Sequence, residues 1–125
     1  MAIHNEIGAS GENIAEKFLK SKGLEIICRN YRKPYGEIDI VARENGVIRF
    51  VEVKTVSYET DRKLSDGIRP EENMHPQKVK RLQRVVQSYV FSHETGEWVF
   101  DLFCVYIDQK TRSARVKWIK DIVLG

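Results

Sequence analysis

The dipeptide Asn45-Gly46 constrains this chain more than any other feature of its sequence. Asn-Gly between two runs of alternating apolar residues is the strongest short-range signal for a two-residue type I′ hairpin, whose central residues both need positive φ. With the turn there, Glu44 faces Val47. Counting outward, Asp39 falls opposite Glu52 and Glu37 opposite Lys54. Side chains alternate along a strand, so Glu37, Asp39, Glu52 and Lys54 share one face, which Val41, Phe50 and Ile48 continue toward the turn. Directly opposed residues have Cβ atoms roughly 4.5–5.5 Å apart, and opposed like charges repel. Two carboxylates beside an apolar patch therefore call for a positive charge between them. Lys54 supplies part of it. A divalent cation held by Asp39, Glu52 and water supplies more, since Mg²⁺ commonly binds through one or two protein carboxylates. A cross-strand salt-bridge ladder, Glu37 with Lys54 and Asp39 with Arg43 or Lys54, is the competing arrangement, and the spacing leaves both open.

The rest of the chain supplies elements to pack against this hairpin. Residues 10–22 read as a helix with Ile14, Ala15, Phe18 and Leu19 on one face and Gly23 as terminator. A strand over 24–32 ends in the turn Lys33-Pro34-Tyr35-Gly36. The hairpin strands cover 37–43 and 47–56, and residues 57–73 read as a long polar loop. Pro76 suits the first turn of a second helix reaching about Ser92, apolar along Val79, Leu82, Val86, Tyr89 and Val90 and basic on the other side. The most apolar strand, over 97–108, is expected at the centre of the sheet, followed by a short strand over 113–119. The order α-β-β-β-α-β-β predicts an α/β sandwich, a mixed central sheet flanked by helices. Its length, 125 residues, suits one domain spanning 1–125.

Charge and cysteine usage narrow the setting. No apolar run is long enough to cross a bilayer, and the N-terminus lacks a basic segment followed by an apolar one, so a cytoplasmic protein with no membrane partner is expected. Cys28 and Cys104 sit in apolar runs without zinc-site spacing and read as reduced core residues. The net charge of +3 says little. Its placement says more, with Arg29, Arg32 and Lys33 in one cluster and Lys78, Lys80, Arg81 and Arg84 in another. These mark candidate phosphate contacts beside the carboxylates, or else solvated faces. His4, His75 and His93 show no metal spacing, whereas Asp101 inside an apolar strand reads as a buried, hydrogen-bonded acid near the site or else as a residue at a strand edge.

The segments "GEIDIVA" and "FVEVKT" resemble the aspartate and Glu-x-Lys signature of the PD-(D/E)xK, or restriction-endonuclease-like, superfamily. With "GENIAEKFL", "RNYR" and Lys78, the chain resembles, over nearly its whole length, the YraN family within it, which is similar to archaeal Holliday junction resolvases. The resemblance implies a restriction-endonuclease-like sandwich and a metal-dependent endonuclease acting on branched or structured DNA with Mg²⁺ or Mn²⁺. It implies Asp39 and Glu52 as metal ligands, Lys54 as the catalytic lysine and Glu12 as a further acid near the metal. Glu12 also has an ordinary reading, a carboxylate favourably placed in a helix's first turn. Glu37 fits the Gly-Glu-x-Asp pattern without an implied role. Val56 and Val99 stand where the family often carries arginine, which removes two phosphate contacts but no metal ligand. Resolvase-like relatives cut two strands as dimers, so a homodimer is a possible assembly. A nucleic-acid-binding module that cuts nothing is the competing function. A protein-interaction domain has only the 57–73 loop in its favour, a segment otherwise expected to order on DNA as a clamp or dimer contact.

Overall fold

The computed structural model describes residues 3–59 and 75–124. Its elements are α1 (Ile3–Ser21), β1 (Glu25–Lys33), β2 (Gly36–Glu44), β3 (Val47–Tyr58), α2 (Pro76–Ser92), β4 (Trp98–Asp108) and β5 (Ser113–Ile119). Asn45 and Gly46 have φ of 51° and 80°, as a type I′ turn requires. The ladder runs back from Glu44 opposite Val47 to Ile40 opposite Val51, in the register the turn dictates.

The five strands lie in the order β1-β2-β3-β4-β5. Only β3 and β4 run parallel, joined by α2 as the crossover, so the sheet is mixed. The expected α/β class and element order are both observed. The central position falls to β3 and not to β4. Phe100 to Val105 of β4 are buried, Phe103 and Val105 in the core under α1 and Phe100 in the core under α2, as an interior strand beside the central one allows.

Each helix covers one face. On the α1 side, Ala15 and Leu19 pack with Ile40, Ala42, Val51, Val53, Phe103 and Val105. On the α2 side, Leu82, Val85, Val86 and Tyr89 pack with Ile38, Val41, Ile48, Phe50 and Phe100. Gly23 (φ 91°) ends α1. The Leu24 N–H donates to the Leu19 carbonyl and the Gly23 N–H to that of Lys20, the paired bonds of a Schellman cap.

Two boundaries differ from expectation by more than one residue. Helix α1 begins at Ile3, so Glu12 lies well inside it and the first-turn dipole reading of that residue falls away. Strand β3 takes up Ser57 and Tyr58, while residues 60–73 of the expected loop, with its expected clamp role, lie outside the described residues. Gly8 and Gly11 do not stop α1, since a helical glycine costs only about 1 kcal/mol relative to alanine. At Gly11 the missing side chain is required: a Cβ there would stand 1.9 Å from Thr55 Oγ1. Alanine at an exposed helical glycine stabilises, so the sign here is diagnostic. Gly11→Ala is expected to lose about 1–3 kcal/mol through overpacking, read as a fall in thermal midpoint. A variant as stable as the parent, or more stable, would contradict this packing of α1 on β3.

Candidate active site

The paired carboxylates sit where the hairpin stops being regular. Beyond the last pair, Ile40 with Val51, the Val53 N–H donates to Asp39 Oδ2 at 2.7 Å. Ile38 packs on the α2 side and Ile40 on the α1 side, so the alternation of β2 slips at Asp39. Asn30, between the β1 partners of Ile38 and Ile40, takes the left-handed conformation (φ 54°), which asparagine tolerates better than most residues. Asp39 and Glu52 are only 6% and 7% exposed, and their carboxyls are in hydrogen-bonding contact. Burial, then the Glu52 hydrogen bond and charge, push Asp39 up to about 8, against the opposing Val53 N–H. The pair therefore holds one proton at neutral pH.

Two lysines face this pair. Lys54 follows Glu52 by two residues on β3. Lys78 reaches in from the first turn of α2, with Nζ 3.9 Å from Glu52 Oε1 and close enough to Lys54 for the two ammoniums to repel. Burial and then the neighbouring Lys54 lower the Lys78 pKa, while Glu52 and Asp39 oppose the shift. That first turn is capped by the His75 side chain accepting from Gln77 N–H and carries no acidic residue. A lysine there works against the helix dipole. Its compensation is the carboxylate pair, not the helix.

The groove containing Asp39 and Glu52 has a volume of about 530 Å³. The β1–β2 turn forms one wall with Arg32, Lys33 and Glu37, and α2 the other with Lys78 and Arg81. Gly36 lets the walls close up, since a Cβ there would meet Val85 Cγ2 at 2.9 Å. Arg32 pairs with Glu37, and Arg43 with Glu25, instead of forming the salt-bridge ladder that the hairpin spacing left open. Arg84 lies just outside the groove, its guanidinium 4.0 Å from the Tyr35 ring centroid. Arg29 is not part of the lining. It bonds Glu12 Oε1 at 3.2 Å and Asn13 Oδ1 at 2.7 Å and pairs with Glu16 at 3.5 Å, tying β1 to α1. Glu12 is close enough to feel the charge of Asp39. Its pKa is raised by burial first and Asp39 second, with Arg29 opposing.

Asp101 is buried and hydrogen-bonded as expected, but not at this site. Its register partner on β3 is Val51, and it accepts from Arg49, Trp118 and the Asp121 N–H, on the face opposite Glu52. His75 and His93 sit at the two ends of α2, as N-cap and C-cap, and His93 stacks on Tyr89. Cys28 is half-buried and Cys104 buried. Sequence reasoning placed Lys78 among phosphate contacts and missed its approach to Glu52. The signal available was a lysine in a first turn that lacks any acid.

Among the described residues, no group of three or more histidine, cysteine, aspartate or glutamate side chains could hold a metal. Two buried carboxylates nevertheless suit Mg²⁺ or Mn²⁺, which complete their shells with water and substrate oxygens, and do not suit a structural zinc site. A shared proton on the pair would make metal binding there pH-dependent. The folded chain keeps a proton on Asp39 that the unfolded chain releases near pH 4, so metal-free stability should fall as pH rises between about 4 and 8. Added Mg²⁺ should raise the thermal midpoint more at pH 9 than at pH 6, with proton release on binding at pH 7. A midpoint gain independent of pH would contradict a shared proton at the metal position.

Fold and site together define an α/β protein with a buried carboxylate pair set in a cationic groove between a hairpin tip and a helix N-terminus. The model of Uncharacterised protein family UPF0102, the YraN family, matches residues 11–115. UPF0102 proteins of Caldicellulosiruptor bescii (34% identical over 119 residues, 93% of this chain and 95% of the relative) and Beutenbergia cavernae (39% over 124 residues, 98% and 99%) are similar throughout. So is that of Caldicellulosiruptor saccharolyticus, 38% identical over 118 residues, 93% of this chain and 95% of the relative. The chain belongs to the UPF0102 family. Among the described residues, no helix is long and apolar enough to cross a membrane.

Proposed function

We propose that this protein is a cytoplasmic, Mg²⁺- or Mn²⁺-dependent endonuclease that hydrolyses phosphodiester bonds in branched or structured DNA. One observation carries the reading: Asp39 and Glu52, buried and in contact, with the Lys78 side chain beside them in a groove that opens to Arg32, Lys33 and Arg81, and Lys54 next to Lys78. Burying two coupled carboxylates without a cation is unfavourable, and a binding protein that only held phosphates would gain nothing from negative charge in its groove.

Asp39 and Glu52 would hold the ion. When bound, it would polarise a phosphoryl oxygen and lower the pKa of a coordinated water. The Val53 N–H fixes the orientation of the Asp39 carboxylate. Lys54 presents its ammonium to the charge that develops on the phosphoryl oxygens. Lys78 balances Glu52 and completes a positive wall with Arg81, while Arg32 and Lys33 receive flanking phosphates. Glu12 is a further acidic group on the α1 side, and Arg29 holds it there.

The deciding test is cleavage of labelled linear, flapped and four-way DNA with Mg²⁺ or Mn²⁺. Metal-dependent products from a branched substrate are expected. Intact DNA of every form, with the protein bound, would favour a binding module that cuts nothing.

A further inference from the structure

The arginines of this protein differ in what they rest on. Arg29, Arg32, Arg43 and Arg49 each meet a carboxylate of their own chain. Arg84 is exposed and, among the described residues, meets an aromatic ring instead. Its guanidinium carbon lies 4.0 Å from the centroid of the Tyr35 ring, close to stacking distance. Tyr35 is half-buried and packs against the core beneath α2, so the ring is held from below. Next to it, Gly36 closes on α2, where a Cβ would meet the Arg81 carbonyl oxygen at 3.5 Å. Pro34 and Gly36, on either side of Tyr35, line the groove of Asp39 and Glu52, and so does Arg81, one helical turn before Arg84. The Tyr35–Arg84 pair therefore stands directly beside the groove, at the junction of its two walls.

We propose that the Arg84 guanidinium, laid on the Tyr35 ring, is a stacking platform for one unpaired nucleobase of the strand that enters the groove. The proposal rests on the nuclease reading and deepens it: an unpaired nucleotide near the reacting phosphate becomes the feature that selects the substrate. A planar cation with one face on a ring and the rest of the group in solvent offers its other face to a base. Guanidinium planes are common partners for splayed bases, and such stacking tolerates any sequence because every base has a π-face. In a paired duplex the neighbouring bases already cover both faces of each base. Only a branch, a flap or an end releases one to stack elsewhere. A pair that merely fastened the turn to α2 would need neither a place beside the carboxylates nor an arginine resting on a ring in place of an acid. Lysine at this position would keep the charge and lose the plane.

The test is the affinity of labelled flapped DNA, measured by anisotropy in EDTA, with a single abasic residue placed at successive flap positions next to the branch. An abasic residue keeps its phosphate and removes only the base. For the parent, one position should weaken binding about tenfold. Arg84→Lys should weaken binding of the intact flap by a similar factor, leave the salt dependence unchanged because the charge is kept, and no longer respond to that abasic residue. Its affinity for a blunt duplex should equal that of the parent. Tyr35→Phe, which keeps the ring, should bind the flap as the parent does. Parental affinity of Arg84→Lys for the flap, or a parent indifferent to every abasic residue, would overturn the platform, and the groove reading would stand if Arg32→Gln/Arg81→Gln still weakened binding. Equal weakening of flap and blunt duplex by Arg84→Lys would overturn it in favour of a phosphate contact. A parent protein without affinity for DNA would overturn both readings.

Discussion

Asp39→Asn is expected to leave a folded protein that binds no Mg²⁺ and cleaves DNA at least about 10³-fold more slowly, a loss of roughly 4 kcal/mol in transition-state stabilisation. Asparagine is nearly isosteric. It keeps an oxygen to accept from the Val53 N–H at Oδ2, and its amide can donate to Glu52 as the protonated acid does. The substitution removes charge without creating a cavity, so activity and stability should separate. The variant should also lose the decline in metal-free stability between pH 4 and 8, because the group responsible for it no longer titrates. Single-turnover cleavage, Mg²⁺ calorimetry and thermal melts at pH 6 and 9 measure the three effects. Cleavage within tenfold of the parent would remove Asp39 from the chemistry. A melt that still matched the parent's pH profile would show that its proton is held elsewhere.

The largest loss of stability is expected away from the groove, at Asp101→Ala. Asp101 is fully buried and accepts from Arg49 Nη1 at 3.0 and 3.1 Å, Trp118 Nε1 at 2.9 Å and Asp121 N–H at 2.9 Å. Arg49 also bonds Glu44 and Asp121, so one carboxylate joins β3, β4, β5 and the segment after β5. Removing it leaves a mostly buried guanidinium with only peripheral partners and an indole N–H without its acceptor. Breaking a buried pair in this way costs about 3–5 kcal/mol, or roughly 10–20 °C in a domain of this size. Asp101→Asn, which keeps an acceptor, should lose less. At temperatures where the alanine variant remains folded, DNA affinity should be close to that of the parent, because the network lies on the face opposite Glu52. Urea unfolding within about 1 kcal/mol of the parent would show the network to be energetically idle.

The hairpin was legible because everything that specifies it is local. Asn45-Gly46 selects the turn, the turn selects the register, and alternation puts Val41, Ile48 and Phe50 under α2. Contact between Asp39 and Glu52 followed from the same count, since the two positions are joined through one tight turn. The slip in alternation at Asp39 was not legible. It coincides with the left-handed Asn30 on the neighbouring strand, and no period within β2 records a neighbour's conformation. The partner of Asp101 escaped for a similar reason. An acid in an apolar strand announces that something must satisfy it, but Arg49 is 52 residues away, and only the parallel pairing of β3 with β4 brings the two together.

By itself the sequence determined the elements, their order, the turn and the acidic pair, because propensity, capping and period act over a few residues. Tertiary structure decided which charges meet. The Gly11–Thr55 contact seats α1 on β3 and brings Glu12 within reach of the field of Asp39. The crossover from β3 to β4 sets the first turn of α2, and with it Lys78, beside Glu52. Arg29, in the same basic cluster as Arg32 and Lys33, is turned to Glu12 and Glu16, whereas those two line the groove. Neighbours in a strand point to different faces, and the helix that covers each face determines whether a cation meets an acid of its own chain or remains open to a phosphate.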